Sequence, residues 1–172
     1  MVHCLSQGGE GESVAREIER KFLVRNDSWK TGLQGVSCCQ AYLATDERVT
    51  IRVRILGDAG YLTIKGKSVG LARDEFEYPI PLADARVMLE TLNSGGIVDK
   101  IRYTVEAHGM LWDVDVFLGA NSGLVLAEVE LDDEGQEIVL PEWAGEEVTG
   151  DVRYYNSRLA QNPFSAWGMP SR

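Results

Sequence analysis

Arg48-Val49-Thr50-Ile51-Arg52-Val53-Arg54-Ile55 alternates without a break between aliphatic side chains at odd positions and cationic or hydroxyl side chains at even ones. A two-residue period belongs to an extended strand, whose successive side chains leave opposite faces. Gly57-Asp58-Ala59-Gly60 follows and predicts a hairpin turn, because Gly and Asp tolerate positive φ. The return strand, residues 61–67, sets Leu62 and Ile64 against Thr63, Lys65 and Lys67. This hairpin makes the chain a β protein, and the same alternation recurs on both sides of it.

Upstream, Glu17-Ile18-Glu19-Arg20-Lys21 has two acids and a cation on one face. Downstream, Glu75 and Glu77 alternate with Phe76 and Tyr78. Pro79 ends that strand or places it at an edge, since proline donates no ladder hydrogen bond. Lys100 and Arg102 alternate with Ile101, Tyr103 and Val105. Asp113 and Asp115 alternate with Trp112, Val114 and Val116, and Glu128 and Glu130 with Ala127, Val129 and Leu131. A turn is expected at 119–123. Helical spacing of Leu82, Ala85, Leu89 and Leu92 predicts one helix over 82–92, stopped by Asn93-Ser94-Gly95-Gly96. Short helices are expected over 141–147 and 153–160. Residues 1–13 read as a disordered, Gly-rich leader and 163–172 as a C-terminal tail, which leaves one domain over 14–162.

The 172 residues are 44% hydrophobic, enough for one domain with a sizeable core. A formal net charge of −10 argues against a non-specific nucleic-acid binder. No apolar run reaches membrane-spanning length and no signal-peptide pattern is present, so neither a membrane nor a secretory role is expected. Cys4, Cys38 and Cys39 fit neither a disulfide framework nor a zinc spacing, and predict reduced thiols in a cytoplasmic protein. His3 and His108 fall in the leader and in a turn, and neither is expected to be catalytic. The four tryptophans read as packing or rim residues. Cys38 shares a face with Gln40 and Tyr42, but no histidine stands near it to activate a thiol.

The informative feature is the sorting of charge. Acidic pairs at i and i+2 occur at Glu17/Glu19, Glu75/Glu77, Asp113/Asp115 and Glu128/Glu130, and basic pairs at Arg52/Arg54, Lys65/Lys67 and Lys100/Arg102. One such pair alone is the wet face of a half-buried strand. Seven pairs sorted by sign, strand by strand, are harder to assign to a surface, because like charges on one face repel. A sheet curled so that these faces point inward would line one cavity with carboxylates and cations. Divalent cations among the acids and a polyanion along the bases would make that arrangement favourable. Arginine offers a planar fork to phosphate oxygens, and Mg²⁺ prefers carboxylate oxygen.

The ExExK block at Glu17-Ile18-Glu19-Arg20-Lys21 resembles the signature of the CYTH family, the triphosphate tunnel metalloenzymes. Later blocks resemble the short bacterial branch in the same order. They are Gln40-Ala41-Tyr42-Leu43, Ile51-Arg52-Val53-Arg54, Leu62-Thr63-Ile64-Lys65-Gly66, Glu75-Phe76-Glu77-Tyr78, Lys100-Ile101-Arg102-Tyr103, the segment 112–117, Ala127-Glu128-Val129-Glu130-Leu131, and 147–156. The resemblance implies a β-dominated α+β fold: an eight-stranded antiparallel closed tunnel with a few surface helices. It implies hydrolysis of inorganic triphosphate to pyrophosphate and phosphate with Mg²⁺ or Mn²⁺.

Carried over by position, Glu17, Glu19, Glu128 and Glu130, joined by Glu77 and Asp115, would hold metal. Lys21, Arg52, Arg54, Lys65 and Arg102 would contact phosphates. Tyr42 and Lys100 would be the catalytic pair, the lysine lowering the tyrosine's pKa so that it serves as a base. Two positions depart from the family pattern, Pro79 where an acid is expected and Val152 where a polar residue is common. Other triphosphate chemistries of the family remain open as alternatives: class IV adenylyl cyclase, thiamine triphosphatase or nucleoside triphosphatase. So does a non-catalytic polyphosphate-binding module, and a homodimer is left open.

Overall fold

The computed structural model describes residues 16–67 and 70–168. The leader, with His3 and Cys4, lies outside them, as do the last four residues of the tail. Eight strands occur in chain order: β1 (Arg16–Val24), β2 (Val36–Thr45), β3 (Thr50–Leu56), β4 (Ala59–Lys65), β5 (Ala72–Ile80), β6 (Val98–Ala107), β7 (Met110–Phe117) and β8 (Val125–Glu130). Their spatial order is β5-β4-β3-β2-β6-β7-β8-β1, antiparallel throughout. Three pairs between β1 and β5 close the ring: Arg16 with Asp74, Glu17 with Arg73, Ile18 with Ala72. The closed eight-stranded tunnel expected above is therefore what forms.

Turn chemistry sets the register. The β3–β4 hairpin turns on Gly57-Asp58, between paired Leu56 and Ala59, with φ +57° at Gly57. The β6–β7 hairpin turns on His108-Gly109, with φ +52° and +76°, the positive values a tight two-residue turn requires. Pro79 stands inside β5 and pairs in register with Tyr61. Among the described residues β1 meets β5 only at 72–74, so the outer edge at Pro79 needs no N–H.

The packing is inside-out relative to an ordinary barrel. The charged faces turn inward, and the apolar faces form a shell outside the wall. Ile18, Phe22, Trp112, Val114, Ala127 and Val129 pack there under Trp29 and Trp143. Helix α1 (Leu82–Thr91), predicted to within a residue, lays Ala85 and Leu89 on Ala41 and Val53. A third cluster sits inside one end. Val98, Phe117 and Leu126 share the inward face with the charges of β6, β7 and β8, and meet Leu159 of α2 (Asn156–Leu159), with Tyr154, Phe164 and Trp167 against them. The C-terminal segment thus seals that end. Each large side chain fully buried in these clusters contributes about 1.5–3 kcal/mol, which offsets the cost of a charged interior.

One element differs from expectation. Residues 141–147 are not a helix: Ala144–Glu147 is a ninth strand, β9, added to the free edge of β1. Glu147 there takes a two-pronged ion pair from Arg20, at 2.9 and 2.5 Å. Segment 153–160 is helical only in part: a 3-10 turn at Val152–Tyr154 precedes α2.

Candidate active site

The tunnel encloses a cavity of about 1260 Å³. Eleven of the thirteen residues singled out from the sequence line it: Glu17, Glu19, Lys21, Tyr42, Arg52, Arg54, Lys65, Glu77, Arg102, Glu128 and Glu130. Strand parity delivers them, since each occupies the inward position of its strand.

Cations and acids are interleaved across strands. Lys21 pairs with Glu128 at 2.7 Å and lies 3.8 Å from Glu19. Lys65 pairs with Glu17 at 2.7 Å and Glu75 at 2.9 Å. Arg54 binds Glu77 at 2.8 Å and Arg52 the same carboxylate at 3.3 Å. Arg102 joins Asp113, Asp115 and Glu128 at 2.8, 2.7 and 3.0 Å. The protonation states follow. Burial would raise Glu17, but Lys65 and Arg73 bring it down to about 2. Burial would likewise depress Lys21, yet Glu128 and Glu19 raise it.

The remaining two residues, Lys100 and Asp115, are 2% and 0% exposed and do not line the cavity. They are bound to each other at 2.5 Å on the inward face, between Arg102 and the apolar cluster that seals one end. Asp115 is further held by Arg102 through Nε and Nη2, so its oxygens face donors rather than a metal. The expected Tyr42–Lys100 contact does not form among the described residues. Instead the Tyr42 hydroxyl accepts a 3.0 Å bond from Gln40. Burial pushes Tyr42 up to about 12, against the opposing pull of Arg52, Lys21 and Arg73, so the phenol is protonated at neutral pH. A lysine-lowered tyrosine is not what the geometry provides. Tyr42 stands next to a β2 bulge, where the register slips between Tyr42 and Ala44, a device that re-aims a side chain.

The cavity is also lined by Arg73, which the sequence reading does not single out, and by Glu75 and Asp113, which it names in acidic pairs without a binding role. Arg73 reaches Glu17 at 2.8 Å and Glu19 at 3.5 Å. It shares the parity of Glu75 and Glu77, and that signal was available.

Metal fit is decided by the donor set. Among the described residues no three acidic, histidine or cysteine side chains already converge as a ligand cluster, because most of the acids are neutralised by cations. Glu130 is the exception. It faces Glu19 across the β1–β8 register and makes no ion pair among the described residues. Burial, followed by Glu17, Asp113 and Glu19, raises its pKa. Such a local excess of carboxylate suits a hard divalent cation, which Glu17, Glu19 and Glu130 could share.

The CYTH domain description matches residues 15–156. The chain is 46% identical over 151 residues to the inorganic triphosphatase of Acetivibrio thermocellus, covering 88% of this chain and 97% of that protein. It is 40% identical over 149 residues to the inorganic triphosphatase of Nitrosomonas europaea, covering 84% and 96%. A crystal structure of an inorganic triphosphatase superposes with a TM-score of 0.62 at 38% identity, over 84% of this chain and 97% of that one.

Proposed function

The chain belongs to the CYTH family, and on that premise we propose that it hydrolyses inorganic triphosphate to pyrophosphate and phosphate inside its tunnel, with Mg²⁺ or Mn²⁺. One observation carries the reading. Arg52 and Arg54 both line the cavity, and among the described residues each spends only Nη2 in hydrogen bonds, leaving Nη1 uncommitted. Phosphate oxygens bind such guanidinium donors with charge-assisted bonds.

Arg52, Arg54 and Lys65 supply a cationic wall on β3 and β4, and Lys21, Arg73 and Arg102 complete it. Glu17, Glu19 and Glu130, with Glu128 beside them, would hold the metal, which supplies charge neutralisation and a more acidic water. Water attacks the terminal phosphorus, the bridging P–O bond breaks with its electron pair going to the leaving pyrophosphate, and the proton of the water passes to a phosphate oxygen. Tyr42 enters as a protonated hydroxyl able to donate to a phosphoryl oxygen. Lys100 acts through Asp115, which fixes the Arg102 guanidinium. The free thiols of Cys38 and Cys39 suit a reducing cytoplasmic setting. The nucleotide and thiamine triphosphate readings draw no support from the two curated relatives.

The test is loss of metal-dependent phosphate release in Glu19→Ala and Glu130→Ala. Each should fall by at least the roughly 100-fold seen when a metal's supporting groups are removed. Full activity in both would remove the metal site as drawn.

A further inference from the structure

Arg52, Thr63 and Glu77 stand side by side in one row across three strands, Arg52 opposite Thr63 and Thr63 opposite Glu77. Thr63 is fully buried. Its hydroxyl accepts from Arg52 Nη2 at 3.1 Å and donates to Glu77 Oε2 at 2.7 Å. The other oxygen of Glu77 takes Arg54 Nη2 at 2.8 Å. Arg54 also lies over the Tyr61 ring, 5.3 Å from its centroid, and Tyr61 is its register partner. Arg52 lies 3.8 Å from Glu75 as well.

This row differs from the other acid–cation contacts of the cavity. Glu17 is held by Lys65 and Arg73, flexible cations that a ligand could draw away. Glu77 is held by Arg52 and Arg54 and, in addition, by a neutral hydroxyl fixed in the wall. On both arginines Nη2 carries every side-chain hydrogen bond among the described residues, so Nη1 of each is left without a partner. Glu77 therefore takes Nη2 of both forks and leaves Nη1 of each uncommitted.

We infer that Thr63 and Glu77 are positioning residues that lock the Arg52/Arg54 pair as a preformed phosphate cradle, and that Glu77 is not a metal ligand. The inference rests on the triphosphate reading above and sharpens it: selectivity for the phosphate chain is set by a hydroxyl that touches no substrate. A locked pair loses little side-chain freedom on binding, which is where preorganisation improves affinity.

Three measurements test it on Thr63→Val, Thr63→Ser and Glu77→Gln: steady-state kinetics on inorganic triphosphate, calorimetric binding of inorganic triphosphate in EDTA, and calorimetric binding of Mn²⁺ alone. Thr63→Val, close to isosteric, should raise KM and the metal-free Kd about tenfold, the loss of one hydrogen bond to a charged group, with kcat nearly unchanged. Thr63→Ser should restore both. Glu77→Gln should weaken triphosphate and leave Mn²⁺ binding unaltered. Weaker Mn²⁺ with unchanged triphosphate binding in Glu77→Gln would make Glu77 a metal ligand and overturn the inference. So would a Thr63→Val enzyme with unmoved KM and Kd. If the unmodified chain neither binds nor cleaves triphosphate, the functional reading falls and the cradle with it. Should Thr63→Val fail to fold, the Ser and Gln variants decide alone.

Discussion

Tyr42 lines the cavity yet is only 8% exposed, and burial pushes its hydroxyl up to about 12. The ordinary value is about 10, so the folded state favours the protonated phenol. That stabilisation is complete below pH 10 and is lost as pH rises through 12, where the folded protein also ionises. In an ultraviolet tyrosinate titration, Tyr42→Phe should remove an ionisation near pH 12, and the pH–rate profile should carry no Tyr42 limb between pH 7 and 9. An ionisation near or below 10 that disappears in Tyr42→Phe would contradict this. At the same scale, alternation told which face each charge takes, because parity is local. It did not tell depth. Lys100 and Asp115 have the parity of Arg102 and Asp113 yet lie sealed behind them. The clue stood two residues away, where Val98 and Phe117 put apolar side chains on the same inward face and mark the closed end.

Strand β9 shows how an element can be misread. Glu142 and Ala144 to Glu147 contain good helix formers, and local propensity favoured a helix. The outcome was set by β1, whose edge beyond Ile18 carries backbone groups that β5 does not pair. Non-local ladders of this kind override propensity and leave no periodic trace in four residues. Gly145 makes the docking work: a Cβ there would lie 2.8 Å from the Leu23 carbonyl oxygen. Gly145→Ala should therefore cost about 1–3 kcal/mol of stability, as overpacking does. A urea titration reads it directly, and an unchanged midpoint would mean that β9 is not held against β1 as described. The strands β3, β4, β7 and β8, by contrast, were legible because their alternation runs unbroken and their turns carry the required glycines.

At the scale of the molecule, a chain of net charge −10 encloses a cavity in which nearly every cation has an acidic partner. The outer shell of Phe22, Trp112 and their neighbours holds the ring closed, so the interior is free to carry chemistry rather than stability. Loading exchanges internal ion pairs for carboxylate–metal and guanidinium–phosphate contacts, so each ligand, by releasing the other's partners, should favour the other's binding. The closing measurement follows from that coupling: phosphate release from inorganic triphosphate, ATP, GTP and thiamine triphosphate, each with Mg²⁺, with Mn²⁺ and with EDTA. The account predicts that inorganic triphosphate is the best substrate, yields phosphate and pyrophosphate in equal amounts, and is untouched in EDTA. Cyclic AMP as the main product from ATP, or turnover of triphosphate that survives chelation, would contradict it.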